Sequence, residues 1–190
     1  MNMLAPEDLR PFKLRIEDYE LLDGAGAFVM QRVELIEGVV VTVNSERMPH
    51  GRLKSELMYR LRLALRDIGS EYDAYADVSL TLPPHSMPEP DVLVARSNAA
   101  GDYWTVVDAA IVIEVAASSL RTDLGVKKHL YAEHGIPEYW VADVERRQVH
   151  QFWAPHDGDG DYRETRIVPL AGSIASVTLP GLAIDGAGIL

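Results

Sequence analysis

One acidic residue, Glu114, stands inside an otherwise apolar stretch that runs from Ala109 to Ala116 with the sequence AAIVIEVA. An apolar run of this length is typical of a central β-strand that is covered on both faces. Moving a carboxylate out of water costs much free energy unless the group is paired with a cation or binds a metal. Glu114 is therefore expected to have a partner, either a metal ion in a functional site or a basic side chain in a structural salt bridge.

Asp91 is the natural companion of Glu114, because it directly follows Pro90 and opens a second short apolar segment, DVLVA, that ends at Ala95. Two carboxylates at the ends of neighbouring strands can share a hard cation such as Mg²⁺ or Mn²⁺, which takes oxygen ligands. The alternative is that Asp91 caps a turn, since aspartate is common in turns. The pattern predicts a metal site made of Asp91 and Glu114 and leaves the structural alternative open.

Lys127 supplies a third polar group, because Asp123, Lys127 and Tyr131 are spaced four residues apart along one face of a predicted helix. This helix starts just after the Glu114 strand, so its first turns can lie over the strand end. A lysine there could orient the attacking water and stabilise charge on a phosphate. The alternative is an ordinary acid–base pair on a helix surface, worth about 0.3 kcal/mol. Lys128 would point roughly 100° away and is the weaker candidate.

Two further residues could complete a metal shell or act as a base. Glu34 lies in an apolar-flanked strand segment, and His50 opens a long predicted helix. Each could equally have a local structural role. The loop with Asp157, Asp159 and Asp161 alternates acids like a calcium loop but lacks the downstream glutamate, which favours a solvated turn. The sequence has no glycine-rich phosphate loop, zinc-binding His-x-x-x-His helix or nucleophile elbow.

The periodicity of apolar residues predicts a mixed α+β fold: a mixed sheet flanked by helices, with an N-terminal and a C-terminal hairpin. The leucines at 53, 57, 61 and 65 recur every four residues and predict an amphipathic helix with one face in the core. Helices are predicted over 16–22, from 49 onward and over 123–134, the last as a crossover between strands. Strands are predicted over 32–43 as a hairpin, 72–82, 91–95, 109–116, 138–143, and 148–153 with 162–168 as the second hairpin.

Length and composition indicate one globular domain over residues 1–190, with an irregular lead-in at 1–15 and a hairpin and tail at 156–190. The chain is 47% hydrophobic and 25% charged and has no cysteine, which excludes disulfides and thiolate metal sites. No targeting segment or apolar run of about 20 residues is visible, so we expect a cytoplasmic protein that does not enter membranes. The net charge of −11 argues against a broad basic surface for duplex DNA, although a local basic cleft remains compatible with it.

Several of these segments together resemble the Uma-two family of restriction-endonuclease-like proteins. The resemblance rests on Pro90-Asp91-Val92, on residues 112–119 (VIEVAASS), on Asp123-x-x-x-Lys127-x-x-x-Tyr131 and on residues 135–143 (GIPEYWVAD). Residues 34–38 (ELIEG) and His50, before the long helix, also fit, so that the similarity covers roughly residues 16–155.

The resemblance implies the PD-(D/E)xK nuclease fold, with Asp91 and Glu114 as metal ligands and Glu34 as an auxiliary acid. In the common form of that motif a lysine stands two residues after the glutamate, where this chain has Ala116. The family resembles the variant in which the lysine lies on the following helix, here Lys127. A second departure is Ala117, where the family usually has a proline, and this affects the turn more than the chemistry.

Three functions are compatible with these residues. The first is a Mg²⁺-dependent endonuclease acting on nucleic acid, with DNA as the expected substrate and a homodimer as a plausible assembly. The second is a non-catalytic binding module or partner subunit that keeps the nuclease fold, which the acidic charge favours. The third is a hydrolase of small phosphodiesters or nucleotides, which would also tolerate an acidic surface. Retention of all three polar residues, Asp91, Glu114 and Lys127, favours the first.

Overall fold

The computed structural model describes residues 11–43, 45–156 and 160–190. The helices are α1 (Ile16–Gly24), α2 (Met48–Asp67) and α3 (120–133). The strands are β1 (Val33–Ile36), β2 (Val39–Thr42), β3 (Tyr72–Ala76), β4 (Leu80–Thr81), β5 (Val92–Arg96), β6 (Trp104–Thr105), β7 (Ala109–Ala116), β8 (Glu138–Asp143), β9 (Gln148–Pro155), β10 (Tyr162–Pro169), β11 (Ser173–Ala175) and β12 (Ala183–Asp185). Most of the predicted lead-in, and Asp157 and Asp159 of the acidic loop, lie outside the described residues.

The chain divides into two compact units, and the single domain over 1–190 stays a prediction. The N-terminal unit comprises residues 1–44 and 81–88, and the sheet unit comprises 45–80 and 89–190. In the N-terminal unit, β1 and β2 form the predicted antiparallel hairpin. Its turn residues Glu37 and Gly38 have φ of 49° and 81°, as the tight primed turns of two-residue hairpins require. Leu35 and Met87 pack with Ile16 on the inner side of this unit.

The sheet unit is built on six strands in the order β10-β9-β8-β7-β5-β3. All neighbouring pairs are antiparallel except β7 and β8, which run parallel. A parallel pair needs a crossover connection, and α3 supplies it between these two strands. The predicted mixed sheet, its crossover helix and the C-terminal hairpin of β9 and β10 are therefore confirmed.

One face of this sheet packs against α2. The four leucines of the predicted stripe are each 0–1% exposed and belong to one core cluster with apolar side chains from β3, β5, β7 and β8. Burying such side chains contributes about 1.5–3 kcal/mol each, so this stripe is a major source of the unit's stability. None of the helices in the described ranges is both long and apolar enough to cross a membrane.

The predicted strand over 72–82 is wrong in its extent, because the structure interrupts it after Ala76. Asp77 has φ of 53°, in the left-handed region that side chains other than glycine seldom adopt, and strand geometry resumes only at Leu80. The alternation of Ala76, Val78 and Leu80 concealed this break. Its consequence is that the Asp77 carboxylate turns towards Lys54 on α2, with both oxygens 2.9 Å from the ammonium.

A second buried acid, Glu138 at the start of β8, fixes the C-terminal segment. Its carboxylate accepts hydrogen bonds from the indole N–H of Trp140 (2.7 Å), the hydroxyl of Ser176 (2.6 Å) and the hydroxyl of Thr178 (2.8 Å). The backbone N–H groups of Val177 and Thr178 donate to it as well. A buried carboxylate with this many donors has a structural role, and it places β11 and β12 beside the sheet.

The packing of α2 gives the first prediction. We expect Leu57→Ala to lower the free energy of unfolding by about 2–5 kcal/mol, because it removes buried methyl groups and leaves a cavity. Leu57 is 1% exposed, whereas Leu63 on the same helix is 42% exposed. Leu63→Ala is thus a matched control, expected to change stability by less than about 0.5 kcal/mol. Urea unfolding of the two variants measures the difference, and equal losses would contradict this placement of the core.

Candidate active site

Glu114 lies in the centre of the sheet unit and is 3% exposed. One of its oxygens, Oε1, accepts hydrogen bonds from the ammonium of Lys127 at 3.0 Å and from the hydroxyl of Tyr131 at 2.8 Å. Both donors come from α3, and Tyr131 is itself fully buried against Tyr139 of β8. The buried acid thus has a cationic and a neutral donor.

The local shape of α3 lets both donors reach one oxygen. The helix consists of α-helical residues Leu120–Thr122, a π-helical turn over Asp123–Lys127 and an α-helical stretch Lys128–Glu133. In the π turn the N–H of Lys128 donates to the carbonyl of Asp123, five residues back. Single π turns change the angular position of the side chains that follow, and they are frequent at functional sites. This turn delivers Lys127 to the Glu114 carboxylate.

Asp91 lies directly before β5, and its register places it beside Glu114. Val92 pairs with Ile113 of β7, so one further step of the same register sets Asp91 opposite Glu114. Opposite residues of antiparallel strands have Cβ atoms about 4.5–5.5 Å apart. Oδ2 of Asp91 accepts a hydrogen bond from the N–H of Val115 at 2.7 Å, which fixes the carboxylate at the strand end.

A second group of charges surrounds Asp91 from the side of α2. His50 Nε2 lies 3.2 Å from Asp91 Oδ2, and His50 Nδ1 lies 3.2 Å from Glu46 Oε2. The ammonium of Lys54 contacts Glu46 at 2.5 Å and lies 3.9 Å from Asp91 Oδ1. Together with Asp77, these four residues form what we term the Asp91 cluster: Glu46, His50, Lys54, Asp77 and Asp91.

The charges of the cluster change the pKa values of its bases. Burial lowers the pKa of His50, but the hydrogen bonding and charge of Asp91, together with the charge of Glu46, outweigh it and raise the pKa above 6.5. Burial likewise lowers the pKa of Lys54, and hydrogen bonds with Glu46 and Asp77 reverse that effect, so the pKa is raised overall. Lys54 is therefore a permanent cation within this cluster at neutral pH.

The donor set of the cluster fits a divalent cation. Glu46, His50 and Asp91 each offer a ligand atom, and these atoms lie within 4.8 Å of one another. His50 Nδ1 is buried and, although close to Glu46, makes no hydrogen bond of acceptable geometry to any group in the described ranges. Carboxylate oxygens suit Mg²⁺ and Mn²⁺, while an imidazole favours Mn²⁺ and other transition metals over Mg²⁺.

The structure brings several of the predicted site residues into direct contact. Asp91 with His50, and Glu114 with Lys127 and Tyr131, form direct contacts as described above. Asp123 is buried on the same helix, but its carboxylate accepts a hydrogen bond from Ser119. Glu34 is buried on β1 in the N-terminal unit.

The neighbouring lysine, Lys128, has partners of its own, and three further charged residues of the site were not predicted. Lys128, the weaker candidate, pairs with Asp161 at 2.8 Å and lies over the ring of Phe152. Sequence reasoning missed three members of the cluster, namely Glu46, Lys54 and Asp77. The spacing of four residues between His50 and Lys54 on α2 was the available signal, since residues four apart meet on a helix face; Glu46 lies just before the helix.

Comparison with known proteins gives the fold class of the chain and then its family. The fold is that of the restriction-endonuclease-like proteins, and a model of the Uma2 family, described as "Putative restriction endonuclease", matches residues 16–187. The chain belongs to the Uma2 family. The match extends beyond residue 155, so the family region includes the C-terminal hairpin and most of the tail.

The fold is shared with a solved structure. A crystal structure described as "a putative nuclease belonging to DUF820 from Anabaena variabilis" superposes with a TM-score of 0.71 at 16% sequence identity. The superposition covers 93% of this chain and 97% of that chain. At this identity the likeness shows a common fold. A search of curated proteins finds no match.

The second prediction concerns Tyr131. We expect Tyr131→Phe to destabilise the protein by about 1–3 kcal/mol, because a buried carboxylate loses one of its donors. Tyr59→Phe is the matched control, since Tyr59 is 57% exposed on α2. Urea unfolding of both variants is the measurement, and an equal effect of the two substitutions would show that the Tyr131 hydroxyl contributes nothing to holding Glu114.

Proposed function

We propose that this protein is a metal-dependent endonuclease that hydrolyses phosphodiester bonds of nucleic acid, with DNA as the expected substrate. The observation that carries the proposal is the contact between Lys127 and the buried Glu114, with Asp91 at the next strand end. Membership of a family described as restriction endonucleases supports the same reaction class. The fold alone would not, because one fold serves many functions.

In this proposal Asp91 and Glu114 hold Mg²⁺ or Mn²⁺. A cation bound there would supply an activated water and stabilise negative charge on the phosphate. Asp91 is suited to this role because the N–H of Val115 fixes its carboxylate through Oδ2. Its other oxygen, Oδ1, lies 3.9 Å from the Lys54 ammonium, which is longer than a hydrogen bond. His50 and Glu46 extend the ligand set on the α2 side. The role of Glu34 as an auxiliary acid stays a prediction from the family resemblance.

Lys127 is the residue that we propose to orient the attacking water or to neutralise charge on the phosphate. The Lys127 side chain is 13% exposed, so its charge is largely removed from water and can interact strongly with neighbouring groups. Held 3.0 Å from Glu114, it can orient a water molecule or neutralise a phosphate oxygen without a large rearrangement. Tyr131 and Asp123 act as supporting residues, the first by fixing Glu114 and the second by holding the start of α3.

One observation favours other functions. The net charge of −11 disfavours a long phosphate backbone as ligand and favours a non-catalytic binding module or a hydrolase of small phosphodiesters. The same residues would serve the small-substrate reaction. The assay below therefore includes a small substrate beside the nucleic acids.

The third prediction tests turnover. We expect wild-type protein with Mg²⁺ or Mn²⁺ to cleave plasmid DNA, single-stranded DNA or RNA. Lys127→Met and Asp91→Asn should each lower the rate by about 10²- to 10³-fold, because each removes a group that stabilises charge in the transition state. Gel assays of the three nucleic acids and an absorbance assay of p-nitrophenolate released from bis-p-nitrophenyl phosphate give the rates.

Lys128→Met is the matched control for Lys127→Met, since the neighbouring lysine pairs with Asp161. It should keep wild-type activity on every substrate. Cleavage of the small diester alone would support the small-phosphodiester function, and equal metal-dependent rates in wild type and both site variants would contradict catalysis at this site.

A further inference from the structure

We propose that Lys54 is a built-in counter-cation of the metal site: its ammonium holds the carboxylates of the Asp91 cluster together without metal, and competes with a divalent cation for them. The inference deepens the proposed function and rests on its metal site. It concerns a positioning residue, because Lys54 acts on the ligands and has no assigned contact with substrate.

The burial of Lys54 is the first argument. The residue is 7% exposed, although it projects from a helix that has solvent on its outer side. A lysine is seldom buried unless its charge is paired. Lys54 contacts Glu46 at 2.5 Å and both oxygens of Asp77 at 2.9 Å, and lies 3.9 Å from Asp91. Three acids from three different segments of the chain therefore converge on one ammonium.

The charge balance is the second argument. The three carboxylates of Glu46, Asp77 and Asp91 face one ammonium, so the cluster keeps a formal charge of −2 when His50 is neutral. Close carboxylates in a partly buried site repel one another, and a divalent cation bound among them would offset that repulsion. Lys54 thus lowers the repulsion between the acids without cancelling their charge.

The overlap of partners is the third argument. Glu46 and Asp91, which face Lys54, also supply ligand atoms to the group they form with His50. A divalent cation and an ammonium that share carboxylates repel each other and compete for the same oxygens. A lysine with a purely structural role would be indifferent to metal, whereas Lys54 is placed to set the affinity of the site.

The fourth prediction follows. We expect Lys54→Met to bind Mn²⁺ more tightly than wild type, by about tenfold, because a positive charge next to the bound cation is removed. Without metal, Lys54→Met should melt at a lower temperature than wild type, and Mn²⁺ should raise its melting temperature by more. Isothermal titration with MnCl₂ and thermal melts with and without MnCl₂ are the measurements, and neither depends on activity.

Two variants serve as controls. Arg62→Met removes another ion pair between α2 and β3, that of Arg62 with Asp73 at 2.9 Å, and should leave Mn²⁺ affinity unchanged. Lys54→Arg keeps the positive charge and should keep near-wild-type Mn²⁺ affinity. Lys54→Gln repeats the loss of charge with a polar side chain and should also bind Mn²⁺ more tightly.

The outcomes separate the two proposals. Mn²⁺ binding by wild type that is unchanged or weaker in Lys54→Met and Lys54→Gln overturns the role of Lys54 and leaves the metal-dependent function standing. Absence of Mn²⁺ binding in wild type contradicts the metal site of the proposed function. If Lys54→Met and Lys54→Gln then bind Mn²⁺ tightly, the result still supports Lys54 as the competing cation. If these two variants also fail to bind Mn²⁺, the role of Lys54 is overturned. Neutral variants that stay unfolded at all Mn²⁺ concentrations also overturn it.

Discussion

The cost of burying the Glu114 carboxylate is the constraint on which the rest of the site depends. β7 is covered on both faces, so water solvates this acid poorly and its charge needs a partner within the site. The crossover that joins the parallel strands β7 and β8 passes over the same region, and its helix provides Lys127 and Tyr131. The crossover that the sheet topology requires therefore also supplies the donors that stabilise the buried Glu114 carboxylate.

A second electrostatic problem arises at the end of β5 and is solved from the opposite helix. The Asp91 carboxylate accepts a hydrogen bond from the backbone of β7, and its charge lies next to the first turn of α2. His50 and Lys54 of α2 lie beside this carboxylate, and Asp77, in the turn after β3, contacts Lys54. Because α2 is fixed by its leucine stripe, the positions of these polar groups are set by the packing of the core.

The sequence predicts what local patterns determine and misses what distant segments create. The bounds of β7 and β8 agree with prediction because an apolar run between polar neighbours defines a buried strand without reference to the fold. The prediction of Lys127 depends mainly on the resemblance to the family, since spacing alone favours a surface pair. Lys54 was missed because a lone lysine in an amphipathic helix is typical of a solvated face, and its partners at 77 and 91 approach only in the folded chain.

The acidic composition has a different meaning once the interior is known. The described buried residues include five acids, namely Glu34, Glu114, Asp123, Glu138 and Asp143, against the single base Lys54. Part of the net charge of −11 is thus carried by interior side chains, beside hydrogen-bond donors and ammonium groups, rather than by an acidic patch at the surface. Such interior acids would also be expected of a protein that binds divalent cations, whose charge the sequence count omits. The average charge of the chain is therefore weak ground for excluding a polyanionic substrate, and the balance of charge around Asp91 and Glu114 is the more direct guide to what the site binds.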